Sequence, residues 1–135
     1  LKSYFNGTVD AWGMFTDRQG KVVKRFTVEM LCHWKDGQGT LDERFVYADG
    51  TQEKRIWQLT DQGQGRYIGT AGDVIGSAAG AASGNAFHWQ YTLALPVGTA
   101  LPSCLTFGKL SAGFLPIAAR RTLMISTGSS GEWCA

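Results

Sequence analysis

The sequence predicts an all-β fold, an antiparallel meander curling into a lipocalin-like up-and-down β-barrel. Three observations carry this. Apolar and polar residues alternate with period two through most of the chain, which is the signature of half-buried strands. The alternating runs are joined in series by short Asp/Gly turns, with no amphipathic helical run between them. Eighteen glycines in 135 residues supply the bends that a closing sheet needs. Closure of such a meander removes unpaired edges, and a small barrel either fills with side chains or holds one apolar ligand.

The first strand is expected from Phe5 to Thr16, with Phe5, Val9, Ala11 and Phe15 on one side and Trp12 on the other. Asp17 to Gly20 has turn chemistry, and the second strand, Lys21 to Trp34, directs Phe26, Val28, Met30, Cys32 and Trp34 to the core. After Lys35-Asp36-Gly37 the third strand, Thr40 to Tyr47, places Glu43 on the same face as Leu41, Phe45 and Tyr47. Asp49-Gly50 is a hairpin signal, and Thr51 to Thr60 aligns Arg55, Trp57 and Leu59. The stretch from Arg66 to Tyr91 bends near Asp73 and enters a glycine ladder, Gly76, Gly80 and Gly84, whose members share one face if the ladder is extended. It leaves through Asn85 into an aromatic strand, Phe87 to Leu95. A helical reading of the ladder is disfavoured, since each interior glycine costs a helix about 1 kcal/mol.

A net charge of +2, with basic residues scattered among acidic ones, excludes a nucleic-acid surface. Three cysteines at irregular spacing give neither a disulfide framework nor a zinc site, so no metal and no cofactor is expected. His33 and His88 lack an accompanying nucleophile motif, and no catalytic residue is assigned.

Glu43 inward among apolar neighbours implies a raised pKa if it is unpaired, or else a pair with Arg44 or Arg55. Asp73 and Asn85 read first as turn residues and second as residues lining a barrel mouth. Trp12, Trp57 and Trp89 are either core or the walls of a pocket beside the small residues of the ladder. The candidate ligand-binding set is therefore Trp12, Glu43, Arg55, Trp57, Asp73, Asn85 and Trp89. The expected function is non-enzymatic binding of a fatty acid, lipid or other small apolar molecule. Two alternatives stay open: an enzyme using Glu43 or Asp73 as acid or base, and a barrel packed throughout that serves as a scaffold.

Tyr4-Phe5-Asn6-Gly7, Ala11-Trp12-Gly13, Leu41-Asp42-Glu43-Arg44-Phe45, Asp49-Gly50, Trp57, the run from Tyr67 to Gly76, and Gly84-Asn85-Ala86 carry a likeness. Over residues 1–97 the chain resembles a proteobacterial lipoprotein family, domain of unknown function 3833. The resemblance implies export, a lipid anchor on a cysteine upstream of Leu1, a place in the cell envelope, and a link with membrane fatty-acid modification. It implies no catalytic residues.

Residues 98–135 depart from that pattern. Glu132 is their only acidic residue, and they read poorly as strands. The family continues with Phe-Asp-Asp-Trp where this chain has Cys104-Leu105-Thr106-Phe107-Gly108. A one-base shift permits Phe-Asp-x-Trp there, so a reading-frame slip near Pro96 to Gly98 is expected, with a non-native tail, a barrel incomplete at its C-terminus and exposed sheet edges as its consequence.

Overall fold

The computed structural model describes residues 2, 5–16, 19, 21–84, 86–94, 100–109 and 121–129, the last two segments as strand backbone. No helix occurs among the described residues. Seven strands form the expected antiparallel meander: β1 (Gly7–Thr16), β2 (Val22–Lys35), β3 (Gln38–Tyr47), β4 (Gln52–Gly63), β5 (Arg66–Thr70), β6 (Ala78–Ser83) and β7 (Ala86–Ala94). Each pairs with the next, curling the sheet into part of a lipocalin-like barrel.

These seven strands come from the part of the chain that resembles the family, and by themselves they leave the barrel incomplete. The tail, in which the sequence shows little strand pattern, adds β8 (Ala100–Lys109) and β9 (Arg121–Ser129). β8 runs antiparallel to β7, and β9 antiparallel to β8 and parallel to β1. The ring of nine is thereby closed. The parallel seam follows from the odd count: when direction alternates at every strand, the ninth runs the same way as the first.

Side-chain alternation sets the register. Phe26 and Tyr47, Val28 and Phe45, Met30 and Glu43, and Cys32 and Leu41 are cross-strand partners on the inner face. A slip of one residue would turn all of them to solvent. The interior is aromatic from end to end. Trp34 meets Tyr67 edge-on at 5.9 Å between ring centroids, Tyr67 meets Phe87 at 5.7 Å, and Phe87 stacks on Trp89 at 5.4 Å. Trp57 then meets Trp89 at 5.3 Å and Tyr91 at 5.2 Å.

The glycine ladder is not one extended strand. Gly76 lies in the β5–β6 connection and Gly84 in the β6–β7 turn, with φ of 67° and 57°, values that favour glycine. Only Gly80 stands within a strand, and there it admits an aromatic ring. A Cβ on Gly80 would lie 2.3 Å from Trp89, and one on Gly69 would lie 2.5 Å from Leu59 and 2.8 Å from Trp89. Side-chain volume omitted from β5 and β6 is thus taken up by β7, so the small residues seat Trp89 in the core and leave no space for an acyl chain there.

Candidate functional site

The site is built by β3, β4 and β7, with two additions from outside the strands. Period-two alternation turns Glu43 inward, as the sequence predicts, between Leu41 and Phe45 and opposite Met30 and Arg55. It is 3% exposed. Burial pushes its carboxyl up from an ordinary value near 4.5 to about 7, against the opposing charge of Arg55 and a hydrogen bond from the Trp57 indole N–H.

Arg55 does not form the expected pair with Glu43. Its guanidinium forks onto Asp73, with Nε 2.9 Å from Oδ1 and 3.0 Å from Oδ2, and Nη2 2.7 Å from Oδ2. Its central carbon sits 5.3 Å from the Phe45 ring centroid. Burial disfavours the Arg55 charge, but the bond to Asp73 and the neighbouring carboxylates outweigh it and raise the pKa further. Burial likewise opposes ionisation of Asp73, yet the fork from Arg55 holds its carboxyl below the usual range. Arg44, the other expected partner of Glu43, points outward.

Asp73 therefore acts as more than a turn residue. The connection that carries it lies along β7, where the Ile75 N–H donates to the Thr92 carbonyl at 2.8 Å and the Ala94 N–H to the Asp73 carbonyl at 2.8 Å. The Arg55–Asp73 fork ties this loop across the end of the barrel. Tyr91 stands beneath it, and burial pushes its phenol up to about 12 despite the Arg55 charge. Tyr47, at the same end, donates its hydroxyl to Glu53 at 2.6 Å.

From the other end the N-terminal arm enters. Phe5 is 3% exposed and, with Leu41, Glu43, Trp57, Leu59, Phe87 and Trp89, lines an interior cavity of about 10 Å³. That is room for roughly one water molecule. Behind Phe5 the arm is held by an ion pair between Lys2 Nζ and Asp61 Oδ2 at 2.7 Å.

The structure thus brings Glu43, Arg55, Trp57, Asp73 and Trp89 of the expected set together. Trp12 is corrected: it stands on the outer face of β1, 51% exposed, and walls no part of the interior. Its alternation against Val9 and Ala11 already directs it outward. Asn85 lies outside the described residues. Tyr91 and Phe5 were missed as site residues. Tyr91 shares the inward period of Phe87 and Trp89, and Phe5 that of Val9 and Ala11, signals present in the sequence; because Phe5 precedes the first paired residue of β1, its place beside Glu43 is set by the arm and not by strand pairing.

Among the described residues no group of three His, Cys, Asp or Glu side chains gathers to hold a metal ion. His33 is exposed and His88 half-buried, and neither joins the carboxylate cluster. Chemically the arrangement offers one buried carboxyl group at the wall of an aromatic cavity, beside an arginine already committed to another carboxylate.

No curated protein and no solved structure matches the chain at a significant level. The sequence model of one family, described as Protein of unknown function (DUF3833), matches residues 1–103, which takes in β1 to β7 and the start of β8. The chain belongs to that family.

Proposed function

We propose that this protein is a non-enzymatic, lipocalin-like binder of a small apolar molecule with one hydrogen-bonding end, and that its site is the interior space now filled by Phe5. The carrying observation is Glu43, a buried carboxyl without an ion pair in a cavity otherwise lined by aromatic and aliphatic side chains. A leucine there would stabilise the barrel more, because burying a carboxyl group raises its pKa at the expense of folding free energy. Such a cost is characteristic of a functional site. The N-terminal arm swings out, the apolar tail takes the place of the Phe5 ring, and the Glu43 carboxyl donates its proton to the ligand's oxygen. Arg55 orients no head group in this reading, since Asp73 occupies its fork.

Catalysis by Glu43 as acid or base is the weaker reading, because the cation beside it, Arg55, is already committed to Asp73 and neither histidine joins it. The same volume favours a second reading, a barrel packed throughout that serves as a scaffold. The envelope location and lipid anchor implied by the family resemblance belong to the proposal as well, since a membrane is a source of apolar ligand.

Native mass spectrometry with hexanoate, hexanol and, as a long-chain control, a phosphatidylglycerol tests binding. The wild-type chain should carry one fatty acid or alcohol, Phe5→Ala should bind more tightly, and Glu43→Leu should lose the adduct while remaining folded. Fatty-acid binding should weaken above about pH 7, where ionised Glu43 repels the ligand carboxylate, whereas alcohol binding should weaken less. Absence of any adduct in both wild type and Phe5→Ala would overturn the binder in favour of the packed scaffold.

A further inference from the structure

Phe5 is a ring delivered to the interior by a stretch of chain that belongs to no strand. Pairing of β1 with β2 begins only at Gly7. Gly7 holds a φ of 82°, in the region that favours glycine, so the arm meets the sheet at a backbone kink. The Lys2–Asp61 pair that holds the arm has its lysine half in water, where an ion pair contributes little.

The walls around the ring are far more firmly set. Trp89 and Phe87 lie against the bare backbone of Gly80, where a Cβ would come 2.3 Å from Trp89 and 2.9 Å from Phe87. Trp89 also covers Gly69, at 2.8 Å from a Cβ placed there, and Trp57 meets it edge-on from the opposite strand. Rings seated on backbone and braced against one another have nowhere to withdraw. What Phe5 vacates when the arm leaves is therefore the volume of one phenyl ring. The void beside it, about 10 Å³ and lined by Glu43, adds space for about one water-sized group, such as a hydroxyl.

We propose that the ligand of this site is a small phenol, a single aromatic ring bearing one hydroxyl, with the ring in the seat of Phe5 and the hydroxyl in the void beside Glu43. The proposal rests on the binder reading above and narrows it from small apolar molecules to one class. Size, wall and polar partner agree on that class. Phe5 already occupies the seat as a phenol without its oxygen. Of the six side chains that line the cavity with Phe5, Trp57, Phe87 and Trp89 are rings, whose faces and edges attract another ring beyond the burial of its area. Glu43 is the one carboxyl in that lining, and a phenol hydroxyl both donates and accepts, so it pairs with the group in either protonation state. A rigid ring also loses no internal rotation on entry, whereas an alkyl chain must freeze its torsions.

Isothermal titration calorimetry of phenol, cyclohexanol, hexanol and toluene into the wild-type chain and into Phe5→Ala tests this. Apolar area alone would rank hexanol above phenol. Phenol should instead bind the wild type at least about tenfold more tightly than either alcohol. Phe5→Ala should bind it more tightly still, since the arm no longer competes for the seat. Glu43→Leu provides a gain that a misfolded chain does not give: phenol affinity should fall about tenfold while toluene affinity rises, reversing the wild-type order. Either alcohol binding as tightly as phenol overturns the phenol and leaves the broader binder standing. A phenol-over-toluene preference that survives in Glu43→Leu places the hydroxyl elsewhere and overturns it too. Binding by Phe5→Ala without binding by the wild type shows that the arm does not yield, and overturns it for the native chain. No binding of any compound to either protein overturns both readings together.

Discussion

Two carboxylates flank Arg55, and the barrel treats them in opposite ways. Asp73 at the mouth receives the whole guanidinium fork and half of its side chain remains in water, so its pKa is depressed. Glu43, in the interior, receives one indole N–H and is shut off from bulk solvent, so its pKa rises to about 7. Both are acids next to the same cation. The difference shows that hydrogen-bond geometry and solvent access, more than proximity to a charge, decide which carboxylate is a structural anchor and which is held ready to take or release a proton.

The largest expected break in this comparison is Trp57→Ala. It removes a ring that touches both Trp89 and Tyr91 and takes away the indole donor of Glu43, so urea unfolding should show a loss of about 3–5 kcal/mol. Glu43→Gln acts in the other direction. The folded protein holds the Glu43 proton to higher pH than the unfolded chain does, so the stability associated with this group is fully present below about pH 4.5 and falls as pH rises to about 7. The glutamine variant lacks that fall, and well above pH 7 it should exceed the wild type by up to about 3 kcal/mol. Equal slopes of stability against pH in the two proteins would show that Glu43 is not held as a buried acid.

Asp73→Asn sharpens the comparison from the mouth. Because Asp73 is partly in water, its loss should cost only about 1 kcal/mol near neutral pH. The wild-type contribution of Asp73 is present above its ordinary pKa of 3.8 and is lost as pH falls through the depressed folded value. More informative is the effect on its rival. With the fork released, Arg55 turns to Glu43, and a carboxyl carbon NMR titration should find the Glu43 pKa below its wild-type value of about 7. An unchanged titration would mean that Arg55 cannot reach it. Lys2→Ala is the smallest perturbation, since the Lys2–Asp61 pair is exposed on the lysine side, and the melting temperature should not move measurably.

Much of the interior half of this site was legible. Glu43 alternates with Leu41, Phe45 and Tyr47, and Arg55 alternates with Trp57 and Leu59, so period two alone sends them to one face of adjoining strands. The pairing of Arg55 with Asp73 was not legible, because the two are joined only when the β5–β6 connection folds back along β7. Nor was the fate of the glycine ladder. Omitted side-chain volume at Gly80 reads equally as a cavity or as a seat for a ring, and Trp89 of the neighbouring strand decides between them. The tail shows the opposite failure. Its strands have little alternation of their own, and their pairing with β7 and β1 is a property of the edges presented to them.

By itself the sequence determined the succession of the first four strands, the hairpin turns after β2 and β3, the inward face of each of those strands and the buried position of Glu43. These are local matters, governed by the alternation of side chains along an extended backbone and by the turn preferences of Asp-Gly pairs. Tertiary structure alone decided that the Phe5 ring closes the space beside Glu43 and that Asp73 takes Arg55 from Glu43. Each of those depends on distances between residues far apart in the chain, which no local pattern encodes and which closure of the sheet fixes all at once.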